Sequence, residues 1–355
     1  MKRFLIVIGI LAVLTGLLIG LWHLMHKKPE QETDFGKAEG TAIVITGAAA
    51  RIAQEAALLE QLYYSGKLDD LAFISGVSSG ALNAVMLNAI LAGKYSWKQY
   101  RNLLFSMNNQ SVFFTADKPL PVSTEPLRLL LTRVLHDTIG FYRMKDLPYP
   151  TALSTVNLNI KSWADMTYRL SNLRINEESD PDIDLVEVLM ASTAFPLAFP
   201  AIRITDAPTI PSGRYIDGGS RVDYIPYRAV IEYEKFIQRN VDKLIIVTRK
   251  LDTEEGLKKE LQNMGITRTD LIDKLNIAIE DLAQHAFLKG LDNLQKEAPL
   301  LSGKTYIYMP TIQKDYPLFD FDNLREQYLV TRKWANTHQP IPLDRFLKEG
   351  VSVND

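Results

Sequence analysis

Two short stretches carry residue types and spacings suited to acyl chemistry. The first reads "FISGVSSGALNA", residues 73–84, and sets Ser78 between Gly76 and Gly80 in a G-x-S-x-G pattern. A β-rich run precedes it and a helical run follows, the strand–turn–helix setting of a nucleophile elbow. The glycines permit a tight turn and close packing beneath the serine. Ser78 would then stand at a helix N-terminus, whose dipole favours developing negative charge. Ser79 is an ordinary first-turn residue in this reading, with an N–H that could help to bind an oxyanion.

A serine hydroxyl needs a base within hydrogen-bond reach. The second stretch, "RYIDGG" at residues 214–219, offers Asp217. Asp-Gly alone is an ordinary turn signal. Here a β-like run leads into it and puts Asp217 at a strand end, and in open α/β sheets functional groups gather at carboxyl ends of strands. Histidine is the other base to consider, and the chain has five. The order Ser78, Asp217, His285 would suit a triad of the α/β-hydrolase kind. His285 falls in a helical stretch and His136 at an expected helix end, where structural roles suit both.

Elements able to position these residues alternate along the chain. Buried-strand runs are expected at 41–46, 71–75, 152–158, 244–248 and 305–309, and helices at 49–65, 79–91, 185–191, 227–239 and 267–294. In the last of these, Ile277, Ile279, Leu282, Leu288 and Leu291 form the expected core face. The alternation predicts an α/β fold with a mostly parallel central sheet flanked by helices. Residues 110–150 are less regular and hold an apolar segment, 127–131, read as a helix on the sheet or a pocket wall.

Taken together the motifs resemble the patatin-like phospholipase family. The run 42–51, "AIVITGAAAR", resembles that family's first strand and glycine-rich oxyanion loop, GGGxRG. Residues 76–84 are similar to its nucleophile motif, "ASTAFPLAFP" at 191–200 to a segment that follows, and Asp217-Gly218-Gly219 to the motif carrying the base. The resemblance covers residues 41–250. It implies a Ser78–Asp217 dyad without histidine, an oxyanion hole built from Gly47, Ala48, Ala49, Arg51 and Ser79, and a lipid ester as substrate. An aspartate of ordinary pKa, ~3.9, is a feeble base, so burial must raise it.

The oxyanion loop departs from GGGxRG: Ala48 and Ala49 replace glycines, and Ile52 replaces the last. Alanine keeps the N–H, but a left-handed backbone there costs about 1–2 kcal/mol per alanine. A misaimed donor costs about 10²–10³ in rate. Arg51 has a second reading, as a solvated partner of Glu55 one turn on. A different class of function is therefore open as well, a silent lipid-binding scaffold that kept the fold.

The 355 residues, 46% hydrophobic, can bury a large core, and the net charge of −2 carries no nucleic-acid footprint. The absence of cysteine excludes disulfides and thiolate metal sites. No metal-ligand spacing or EF-hand loop occurs, so a cofactor-free, metal-independent reaction is expected. At the N-terminus, residues 4–22 run "FLIVIGILAVLTGLLIGLW" without a charge. That length can span a hydrocarbon core of ~30 Å. An uncleaved membrane anchor over 1–28 is expected, with a cleaved signal peptide as the alternative. Basic residues flank both sides, Lys2 and Arg3 against Lys27 and Lys28, and the expected orientation places the globular part outside the cytoplasm. A linker at 29–40, an acyl hydrolase domain at 41–310 and a helical extension at 311–355 complete the expected organisation.

Overall fold

The computed structural model describes residues 32–114, 120–160 and 166–349. The expected membrane segment and the first residues of the linker lie outside them. Among the described residues no helix is long and apolar enough to cross a membrane.

The strands are β1 (Thr41–Ile45), β2 (Leu71–Val77), β3 (Thr151–Asn157), β4 (Thr167–Ser171) and β5 (Ile202–Ile204), then β6 (Gly213–Asp217), β7 (Lys243–Val247), β8 (Thr305–Tyr308) and β9 (Ile341–Pro342). They form one sheet in the order β5-β6-β3-β2-β1-β7-β8-β9, with β4 also on β3. Pairing is parallel from β3 through β8 and antiparallel at β4, β5, β6 and β9. The fold is thus α/β with a mixed, mostly parallel sheet flanked by helices.

The period of two in the strands sorts their side chains onto two cores. Ile43, Ile45, Ile74, Leu153, Ile245 and Val247 enter one, and Ala42, Val44, Phe73, Ala152, Leu244 and Ile246 enter the other. Helices cover both faces, which is why the central strands read as continuous apolar runs. On the first face lie α1 (Ile52–Tyr64), α2 (Ser79–Leu91), α3 (Trp97–Ser106), α4 (Glu125–Thr132) and α5 (Leu185–Ser192). On the second lie α6 (Arg228–Ile237) and, further along, α9 (Gln284–Glu297). Between them α7 (Glu254–Asn263) and α8 (Arg268–Leu275) enclose a smaller cluster, and α10 (Leu324–Ala335) packs on α1.

The long helix expected at 267–294 is broken. Asn276 adopts a left-handed φ of 52° and ends α8, and a single 3₁₀ turn at Ile279–Asp281 intervenes before α9. The break resets the helical phase, so Leu288 is exposed while Ile277, Ile279, Leu282 and Leu291 stay buried.

The turn from β2 into α2 is the tightest packing near the site. A Cβ on Gly80 would lie 2.3 Å from the Thr46 carbonyl oxygen and 2.4 Å from that of Ile45, and one on Gly76 would lie 2.5 Å from the Gly80 oxygen. All of these are backbone atoms and cannot swing aside. Gly80→Ala is therefore expected to destabilise the fold by more than ~3 kcal/mol, read as a fall in the urea unfolding midpoint.

Candidate active site

Ser78 sits on the turn between β2 and α2 with φ 58° and ψ −131°, a strained region for a residue with a side chain. Ser192, at the end of α5, holds the turn in place. Its hydroxyl accepts the Ser78 N–H at 2.9 Å and donates to the Ser154 carbonyl at 2.8 Å. The strain is thus balanced by a buried hydrogen-bond relay reaching into β3. Ser192 lies inside the quoted 191–200 run, but nothing in its sequence setting marks that contact.

Asp217 reaches the same place from the opposite direction. It ends its strand, β6, which runs antiparallel to β3. Val77 pairs with Ser154 and Asp217 with the next residue, Thr155, along the same edge of β3, because β4 fills the other edge. Strands β2 and β6 thus run towards each other along one edge of β3 and bring Ser78 and Asp217 to the point where their ends meet. Both are buried, Ser78 at 8% exposure and Asp217 at 3%. One Asp217 oxygen accepts the Gly219 N–H at 2.8 Å. Burial pushes the Asp217 carboxyl up to about 7, against the smaller downward pull of the Ser78 hydroxyl and the Gly219 amide. Gly218 packs so closely that a Cβ would stand 2.6 Å from the Ser154 oxygen.

Ser78, Asp217, Gly47, Ala48, Ala49 and Gly219 line one cleft, closed in by Phe195, Leu282 and Leu318. Its free volume is about 50 Å³, room for a few water molecules. None of the three described histidines, His136, His285 and His338, lines it. His285 is exposed and His136 stacks on Tyr142.

The five residues expected at the oxyanion hole do not act alike. Gly47 and Ala49 line the cleft, and neither N–H meets an acceptor among the described residues. A Cβ on Gly47 would lie 3.0 Å from that of Ser78, so this position must stay small. The Ala48 N–H is used: it donates to Ser79 Oγ at 2.7 Å. Ser79 therefore spends its hydroxyl bracing the loop, while its N–H opens α2 where no carbonyl lies a turn back to receive it.

Arg51 does not line the cleft, and it does not pair with Glu55 in solvent as its second reading expects. It is buried, its Nε donates to the Tyr316 carbonyl at 2.7 Å, and its guanidinium pairs with Asp252 and stands 3.7 Å from Glu260. Glu55 instead accepts from Thr46 at 3.2 Å and Asn83 at 3.2 Å. The surface pairing one turn apart fails because this end of α1 is buried on every side. Leu318 continues the brace, its carbonyl accepting the Ala50 N–H and its N–H donating to Glu260, both at 2.8 Å.

Of the two loop alanines, only Ala49 takes a positive φ, 45°, while Ala48 lies at −136°. The strain of a left-handed alanine, about 1–2 kcal/mol, is partly offset because alanine loses ~0.4–1 kcal/mol less entropy on folding than glycine. Ala49→Gly is thus expected to stabilise the protein by up to about 1 kcal/mol in equilibrium denaturation.

Residues 43–231, more than half of the chain, match the family model of patatin-like phospholipases. The chain belongs to the patatin-like phospholipase family. No curated protein matches it. Among solved structures, this patatin-like chain is similar to VipD from Legionella pneumophila, at 12% identity and a TM-score of 0.39, over 91% of this chain and 74% of that one. It is also similar to human GIVD cytosolic phospholipase A2, at 11% identity and a TM-score of 0.38, over 89% of this chain and 63% of that one. This chain thus spans under two thirds of the phospholipase.

Proposed function

We propose that the chain is a serine hydrolase of lipid esters, with Ser78 as nucleophile and Asp217 as its base, held at a membrane by residues 1–28. The observation that carries this reading is a carboxyl pushed up to about 7 in one buried cleft with a strained serine, without histidine. A base with a pKa near neutrality combines proton affinity with enough of the ionised form.

In this mechanism Ser78 Oγ attacks the ester carbonyl as Asp217 takes its proton. The N–H groups of Gly47, Ala49 and Ser79 receive the oxyanion, which the α2 dipole also favours. Collapse of the tetrahedral intermediate breaks the carbon–oxygen bond, and Asp217 returns the proton to the departing alcohol. Water, deprotonated by Asp217, then attacks the acyl-enzyme and releases the fatty acid with Ser78 restored. Phe195, Leu282 and Leu318 line the cleft beside the dyad and offer apolar surface to an acyl chain.

A second reading, a silent lipid-binding member of the family, draws support from the Ala48 N–H being already occupied by Ser79. Labelling with a fluorophosphonate separates the two. Folded protein labelled only when Ser78 is present supports the hydrolase, and folded protein that never labels supports the silent reading.

A further inference from the structure

The end of β7 brings a cation to this cleft that the mechanism above does not use. Strand β7 lies beside β1, with Ile45 opposite Val247, the Thr46 N–H on the Val247 carbonyl at 3.1 Å and the Thr46 and Thr248 hydroxyls 2.8 Å apart. Arg249 therefore emerges next to the oxyanion loop, and it lines the cleft with Ser78 and Asp217 while only 2% exposed. Its Nη2 donates to the Tyr224 hydroxyl and to Asp252, each at 3.0 Å, and its Nη1 to the Lys250 carbonyl at 3.2 Å. Its Nε is buried and has no acceptor among the described residues.

Asp252 is shared between Arg249 and Arg51, and the next carboxylate, Glu260, is 3.7 Å from Arg51. Burial drives Glu55, the other carboxyl nearby, towards its neutral form. On the Asp217 side, Ser220 lines the same cleft, and its buried Oγ likewise has no partner among the described residues. Buried polar groups are nearly always bonded, so two residues that line one reactive cleft and each keep an unmatched donor mark a place for a ligand's acceptor atoms.

We infer that Arg249 and Ser220 form an anion subsite beside the dyad, which selects esters carrying a phosphate close to the scissile bond over neutral glycerides. A guanidinium suits this task, since its fixed array of N–H donors matches phosphate oxygens and it stays charged when buried. The inference rests on the hydrolase reading for its substrate class and on the cleft alone for the subsite.

The test compares a phosphatidylglycerol with a diacylglycerol of the same acyl chains in identical mixed micelles. Wild type is expected to favour the phospholipid. Arg249→Gln should lower the phospholipid-to-diacylglycerol ratio of kcat/KM by about tenfold or more, and Ser220→Ala by about threefold, mainly through KM. An unchanged ratio, or equal proportional losses on both lipids, overturns the inference. Should Arg249→Gln fail to fold, Ser220→Ala decides alone, because it removes no side-chain hydrogen bond among the described residues. If wild type cleaves neither lipid and takes no fluorophosphonate, the hydrolase reading fails by itself. Calorimetric titration with sn-glycerol 3-phosphate then reads the subsite: binding to wild type that Ser220→Ala weakens sustains it, and no binding to wild type overturns it.

Discussion

Replacing Ser78 with alanine is expected to abolish fluorophosphonate labelling and to cut ester hydrolysis by about 10⁴-fold or more, leaving only what the oxyanion donors and binding provide. The change is small in volume and removes no bond that holds the turn, because Ser192 grips the Ser78 backbone N–H and not its hydroxyl. Far-ultraviolet circular dichroism should therefore overlay that of wild type, and the loss belongs to the chemistry. Retained labelling in Ser78→Ala would place the nucleophile elsewhere and end the dyad account.

Asp217→Asn is the second large effect, a fall in kcat of about 10³–10⁴-fold, since the amide keeps the shape but cannot take the proton. Two further readouts separate this from general damage. The wild-type rate should fall about tenfold per pH unit below the Asp217 pKa of about 7 and level off above it. Stability moves in the opposite sense. The folded pKa of about 7 lies above the ordinary 3.8, so the folded protein holds this proton more tightly than the unfolded chain. The resulting stabilisation is complete below about pH 4, declines as pH rises from there to 7, and is absent above it. An amide never ionises, so Asp217→Asn should gain melting temperature over wild type at pH 8 and much less at pH 4. A variant less stable at pH 8 would mean that the carboxylate is not buried against its charge.

Much of this could be read from residue order, for identifiable reasons. Strands β1, β2, β3 and β7 are apolar runs buried on both faces, and their ends fall close to the expected ones. Ser78 is legible because a glycine-flanked serine between strand and helix has few structural uses. The direction of β6 is not, since a strand's period of two is the same whichever way it runs. Strand β5, with three residues, is too short to carry a pattern. The least legible features depend on contacts far apart in the chain. The Ser79 hydroxyl meeting the Ala48 N–H and Arg51 turning to Asp252 leave no local trace, and they decide which loop donors are free. Arg249 could have been suspected only from its place just beyond a strand's carboxyl end.

The meeting of β2 and β6 on one edge of β3 has a consequence for how the protein tolerates change. Because Ser78 and Asp217 meet only through pairing with successive rungs of that strand, a slip of β6 by a single residue would turn the carboxylate to the opposite side of the sheet. Every atom of the dyad would survive, and the reaction would stop. Turnover in this molecule is therefore an alignment gauge: an insertion between β5 and β6 that keeps the pairing should be silent, whereas one that shifts it should disarm a protein that is otherwise folded.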